Sequence, residues 1–163
     1  MTRTLILMRH AKSDWGHAGL ADHDRPLNDR GASDAPRMGN WLRAQGFLPD
    51  EVLCSTATRT RQTLEGLSLA APTRFLPVLY HADPDMMMAA LQTATGPSVL
   101  MVGHNPGIAA FANDLLAEAP DHPRFDDYPT SATLVARFEV EDWAALRWGT
   151  GKAAAFAIPA DLM

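Results

Sequence analysis

Short apolar runs alternate with stretches of helical spacing along this chain. Residues 5–8, 52–54, 75–79 and 99–102 are apolar almost without interruption, as expected of strands buried on both faces. Residues 131–140, "SATLVARFEV", show period-two alternation, and "KAAAFAIP" (152–159) predicts a last short strand. The clearest helix is "PGIAAFANDLLAE", in which Ile108, Phe111, Ala112, Leu115 and Leu116 recur at i, i+3, i+4, i+7 and i+8, with Pro106 in its first turn. A second spans 28–45 through Ala35, Met38 and Leu42 and stops at Gly46. Pro36 leaves two starts open, one near Ser33 and one at Asn28 with a kink. "STATRTRQTLEGL" predicts a third helix with Ser55 as N-cap, and "DPDMMMAALQTAT" a fourth with acidic residues in its first turn. Strand-helix-strand order with continuous apolar strands implies an α/β fold of three layers, α/β/α, around a mainly parallel sheet. No repeat or linker divides residues 1–163, so one domain is expected. The polar stretch 13–25 reads as a loop, as does the Pro- and Asp-rich stretch from 118 to 128.

Composition narrows the functional classes. The chain has 163 residues, 47% of them hydrophobic, and a net charge of −5, which disfavours nucleic-acid binding through phosphate attraction. Its basic residues are nearly all arginine, with lysine only at Lys12 and Lys152; a GC-rich genome accounts for that bias. The single cysteine, Cys54, excludes an internal disulfide or a thiolate metal cluster. No segment approaches membrane-spanning length and no leader pattern opens the chain, so a soluble, cytoplasmic protein without a membrane partner is expected.

Candidate chemistry collects where parallel strands end, because ligands of open α/β sheets gather at the carboxyl edge. The first strand delivers Arg9 and His10. The second delivers Ser55 and then Arg59, in the first turn of the next helix. The fourth delivers His104 and Asn105. Two arginines, two imidazoles and two helix starts on one edge suit a phosphoryl group. His17, His23, His81 and His122 lack that placement and read as loop residues. Trp41, Trp143 and Trp148 read as packing, and Met86–Met88 as core filler.

These elements carry a resemblance. "LILMRHAKS" resembles the Arg-His-x-x-Ser opening of the histidine phosphatase superfamily, which includes the phosphoglycerate mutases. "CSTATRTRQT" is similar to its Ser-x-x-x-Arg-x-x-Gln-Thr element, and "VGHNPG" to its second-histidine element. With "DHDRPLNDRG", the set in so short a chain most resembles the SixA-type phosphohistidine phosphatases. The resemblance implies a phosphoglycerate mutase-like fold and a phosphatase that works through a phosphohistidine enzyme intermediate. It implies His10 as the nucleophile, with Arg9, Arg59 and His104 holding the phosphoryl oxygens. Ser13 and Asn105 would add substrate contacts, and no metal or other cofactor is required.

One departure bears on the substrate. Many members carry a glutamate after the third strand that protonates a leaving alcohol. This chain has "VLYHADPDMMM" there, with Asp83 and Asp85 nearest and Asp14 and Asp24 in the first loop. A phosphohistidine substrate releases a neutral imidazole and has little need of an acid, whereas an alkoxide does. Phosphohistidine in a protein is therefore the expected substrate. The alternatives are a broad phosphomonoesterase acting on small phosphorylated metabolites, and a phospholigand-binding module without turnover.

Overall fold

The computed structural model describes Met1–Met163. Six strands form one mixed sheet in the order β3-β2-β4-β1-β5-β6. Strand β1 (Thr2–Arg9) leads through the loop to helix α1 (Asp29–Gln45), then β2 (Glu51–Ser55), α2 (Thr58–Leu67) and β3 (Thr73–Leu76). Helix α3 (Pro84–Leu91), β4 (Ser98–Gly103), α4 (Gly107–Leu115), β5 (Thr133–Glu139) and β6 (Lys152–Ala157) complete the fold. Strands β3, β2, β4 and β1 pair in parallel, and β5 and β6 are antiparallel additions on the other side of β1.

The strand periodicity divides the core into two. Leu5, Leu7, Leu53, Val99, Met101 and Leu134 face α3 and α4, where they meet Met87, Leu91, Ile108, Phe111 and Leu115. Ile6, Met8, Val52, Cys54, Leu100, Val102 and Val135 face the other way, onto Met38 and Leu42 of α1 and Leu67 of α2. Strands that bury both faces have no polar face to show, which explains the unbroken apolar runs. The expected three layers are thus present.

One open choice is resolved and two local expectations change. Helix α1 begins at the Asn28 cap, whose side chain accepts from the Gly31 amide, and carries Pro36 within it. It ends at Gly46 in the left-handed conformation (φ 76°), as a Schellman-type stop requires. The third strand is shorter than expected. It stops at Leu76 because Pro77 cannot donate to a ladder, and residues 77–79 turn into a single 3-10 turn on the sheet's edge. Finally, Ser55 does not cap α2. Ala57 holds that position without a side-chain bond, and Ser55 stays in β2.

Candidate active site

Arg9 ends β1, with its amide bonded to the Ala132 carbonyl. His10 follows, fixed by its own amide to the Gly103 carbonyl and by its carbonyl to the Ser131 amide. It is thus strung between the end of β4 and the approach to β5. Ser55 ends β2, and Gly103, which ends β4, hands the chain to His104. Because β1, β4 and β2 are adjacent and parallel, all three ends open on one edge. The Gln-Thr pair of the second motif ties these pieces together. The Thr63 hydroxyl donates to the Arg59 carbonyl and accepts from the Ala11 amide at 2.9 Å, while Gln62 accepts from the Leu27 amide at 2.8 Å.

His10 and His104 meet, with ring centroids 5.3 Å apart. They line a cleft of about 320 Å³ with Arg9, Arg25, Arg59 and Asp22. The Nδ1–H of His10 donates to the Ala11 carbonyl at 2.7 Å, which leaves the lone pair on Nε2. Burial, opposed by that bond and assisted by the nearby Arg9, Arg59 and Arg25 charges, holds the His10 pKa down to about 3. His104 is likewise lowered to about 3 by burial and the neighbouring His10. Both rings are neutral at ordinary pH. Nε2 of His104 lies 2.8 Å from the Ser55 hydroxyl, and its Nδ1 is buried without a partner. Four of the six buried side-chain atoms without a partner belong to cleft residues: Nε of Arg9, Arg25 and Arg59, and Nδ1 of His104. Donors left unpaired in so basic a pocket fit an anion.

Arg59 is buried in the first turn of α2, as expected, and its guanidinium is turned onto Asp22. It donates to the Asp22 carbonyl at 2.7 Å and to its carboxylate at 3.0 Å. That carboxylate also takes the Tyr80 hydroxyl at 2.5 Å and Arg25 at 3.2 Å, and His81 stands 4.0 Å away. The Tyr80 hydrogen bond, then those from Arg59 and Arg25, hold Asp22 well below the usual carboxylate range. It is ionised, so it accepts protons' bonds and donates none.

The expected accessory residues take more structural parts. The buried Ser13 hydroxyl accepts from Arg25 and so fixes a cation of the cleft. Asn105 lines the cleft, but its amide nitrogen donates to the Asp127 and Tyr128 carbonyls and its oxygen accepts from Ala109. Of the four acids considered as proton donors, none lines the cleft. Asp83 caps α3, Asp85 lies exposed on its first turn, Asp14 pairs with His17 at 3.1 Å, and Asp24 faces His23. Arg61, beside the motif arginine, bonds the Thr56 carbonyl and lies over Phe75, away from the cleft. Cys54 is also no nucleophile, because burial pushes its thiol up to about 12.

Sequence reasoning expected Asp22 to pair with Arg25 inside the loop, as it does, but missed its bonds to Arg59 and Tyr80, the placement of Tyr80 and His81, and the role of Ser55. Tyr80 and His81 follow the end of β3 by one 3-10 turn, so the strand-end rule that found His10 and His104 reaches them once that turn is counted. The reach of Asp22 to Arg59 has no such signal. It comes from a fold of the loop that brings the two together from 37 residues apart.

Two imidazoles and clustered guanidinium groups at a parallel sheet's carboxyl edge suit a tetrahedral oxyanion such as a phosphoryl group. The model of the histidine phosphatase superfamily (branch 1) matches residues 5–83. The chain is 32% identical over 119 residues to phosphohistidine phosphatase SixA of Escherichia coli (strain K12), covering 68% of this chain and 73% of that protein. It is 39% identical to an uncharacterized protein of Mycobacterium tuberculosis (strain H37Rv), over 93% of this chain and 99% of the other. A Nakamurella multipartitia protein assigned as phosphohistidine phosphatase SixA superposes with a TM-score of 0.84 at 32% identity, covering 98% of this chain and 97% of that one. The protein histidine phosphatase SixA in complex with tungstate superposes at 0.79 with 28% identity, over 98% and 99% of the two chains. The chain belongs to the histidine phosphatase superfamily, and its structural neighbours include SixA phosphohistidine phosphatases. No helix is long and apolar enough to cross a membrane.

Proposed function

We propose that this protein is a metal-independent phosphohistidine phosphatase that acts on phosphohistidine carried by a protein. The observation that carries the reading is the His10 geometry. Nδ1 is committed to the Ala11 carbonyl, so Nε2 holds the lone pair in a cleft lined by Arg9, Arg25 and Arg59. The superposed SixA binds tungstate, a tetrahedral oxyanion, which supports the same use of this cleft.

In the proposed sequence, Nε2 of His10 attacks phosphorus as the bond to the leaving nitrogen breaks. The N–P bond pair stays with the leaving imidazole, whose other nitrogen carries a proton, so it departs neutral. Arg9 and Arg59 take the charge on the phosphoryl oxygens, which gives a metal no necessary part. Arg59 would exchange its hold on Asp22 for the incoming oxygens. His104 donates from Nδ1 when the Ser55 hydroxyl donates to Nε2, a tautomer that turns its unpaired nitrogen into a hydrogen-bond donor. Water then attacks phospho-His10, releasing phosphate and restoring the neutral ring.

The carboxylate in the cleft favours phosphohistidine over an ester. Asp22 is held ionised by Tyr80, Arg59 and Arg25, so it has no proton to give an alkoxide. General-acid catalysis is typically worth ~10²–10⁴-fold to a poor leaving group. A cytoplasmic location, where phosphotransfer proteins work, goes with this reading. The test compares kcat/KM on a phosphohistidine protein and on alkyl phosphomonoesters at neutral pH, with a chelator present. The phosphohistidine substrate is expected to lead by about a hundredfold or more, the size of an absent acid. Faster hydrolysis of the esters would instead make the protein a phosphomonoesterase, and loss of all turnover with the chelator would overturn metal independence.

A further inference from the structure

We propose that a second depression, open beside the catalytic cleft, binds an additional anionic group carried by the substrate. The inference rests on the cleft being the phosphoryl site, and it names what the substrate must carry besides its phosphoryl group.

The depression has a volume of about 380 Å³ and shares Arg9, Lys12 and Thr130 with the cleft, so the two are continuous. Arg30 and Arg124 complete its basic wall, against a single lining carboxylate, Asp127. Across both depressions, six of the chain's 14 basic residues meet two of its 19 acidic ones, on a molecule of net charge −5. Cations gathered against the overall charge repel one another, and that cost needs a counter-charge to offset it.

Internal pairing supplies it only in part: Asp22 holds Arg25 and Arg59, Asp127 holds Arg124 and Asp34 reaches Arg30, whereas Arg9 and Lys12 take part in no ion pair. Asp127 is held by Arg124 through Nη2 at 2.8 Å and Nε at 3.0 Å, and its charge also acts on Arg9. Arg30 reaches Asp34 at 3.5 Å from an exposed position. Lys12 takes part in no ion pair. Its ammonium is an exposed charge between the two depressions.

The walls are held in place. The Lys12 carbonyl accepts the Asn28 amide at 3.0 Å and sits on the first turn of α1, where only Gly31 fits: a Cβ there would come within 2.1 Å of that carbonyl. The opposite wall, Ile158 to Ala160, is pinned where the Asp161 carboxylate accepts from the Ile158 amide and from His122 at 2.9 Å. A fixed basic depression next to the reacting phosphoryl group selects ligands with two anionic groups, since each charge-assisted contact adds affinity and register. The second anion is a phosphate or a carboxylate. It is supplied either by a small bis-anionic metabolite or by an acidic side chain flanking phosphohistidine in a protein.

The experiment uses the intact protein and its Arg30→Ala/Arg124→Ala variant, whose changes lie outside the cleft at exposed side chains. Titration calorimetry compares alkanediol bisphosphates of increasing length with the matching alkyl monophosphates. In the wild type, bisphosphates of at least one length should bind about tenfold more tightly than their monophosphates, and the variant should lose that preference. Absence of any preference, or its survival in the variant, overturns the proposal. A kinetic arm compares phosphohistidine peptides flanked by Glu or by Ala. A Glu preference lost in the variant assigns the anion to a protein, and a preference confined to bisphosphates assigns it to a metabolite. Binding does not require turnover. Preference without hydrolysis therefore refutes the phosphatase reading alone, and hydrolysis without preference refutes the depression alone.

Discussion

At the scale of single residues, His10 and His104 combine burial with neutrality. Each has a pKa lowered from 6.5 to about 3, so each takes up a proton far more readily in the unfolded chain. Between those values the unfolded state binds more protons, and stability falls as pH falls. Each histidine contributes up to about 1.4 kcal/mol per pH unit in that window. Urea midpoints measured from pH 7 to pH 4.5 should therefore drop more steeply for the wild type than for His104→Gln, which has nothing to titrate. Parallel curves would show that His104 is not held neutral by its burial. Phosphoenzyme formation should, by the same logic, not decline through pH 6.5 on account of the nucleophile. The residues that the sequence brought to the cleft were those tied to a strand end or to the helix turn just after it: Arg9, His10, Arg59 and His104. Those it missed depend on a partner brought from elsewhere. Ser55 was expected to cap a helix because hydroxyls commonly do, yet tertiary placement gave its oxygen to His104 instead.

At the scale of elements, the site depends on how closely α3, α4 and their leading turns approach. Gly107 opens α4 three residues after His104, and a Cβ there would lie 1.9 Å from the Ala82 carbonyl. That contact is with backbone, so no side chain can swing aside to relieve it. Gly107→Ala should lower stability by about 1–3 kcal/mol and reduce turnover together, because the strain is relieved only by moving His104 or the His81–Ala82 turn. A melt and a kcat/KM determination check this; unchanged values in both would show that the two turns have room to separate. Helix positions were legible because amphipathic spacing and stop signals are local, as Gly46 illustrates, whereas the start of α1 stayed open between Asn28 and Ser33. The end of β3 was not legible, since an apolar run containing Pro77 reads alike as edge strand or as strand plus turn. That ambiguity concealed Tyr80 and His81, whose placement depends on where the strand stops.

At the scale of the whole molecule, a parallel core of four strands is extended by two antiparallel ones. Three of the four apolar runs became the buried strands β1, β2 and β4, which deliver the motif residues to one edge, whereas the run at 75–79, read alike, belongs to the half-exposed edge strand β3. The reversed direction of β5, and so the antiparallel pairing of β5 with β1 and with β6, had no local signature, because strand direction is set by the connections and not by the residues within the strand. The same holds for the loop that carries Asp22 to Arg59, and for the basic depression, whose members lie at positions 9, 12, 30 and 124. Motif order thus gave the paired imidazoles, while the rest of the cleft and its basic surroundings emerge only when distant segments are folded together.

The central claim is that His10 accepts the phosphoryl group on Nε2. Rapid quenching into alkali during turnover, followed by peptide mass spectrometry, tests it directly. The expected result is an acid-labile, alkali-stable phosphoryl group on His10 of the wild type, attached through Nε2, and none on His10→Ala. Turnover without any such intermediate, or a phosphoryl group on another residue, would contradict the account.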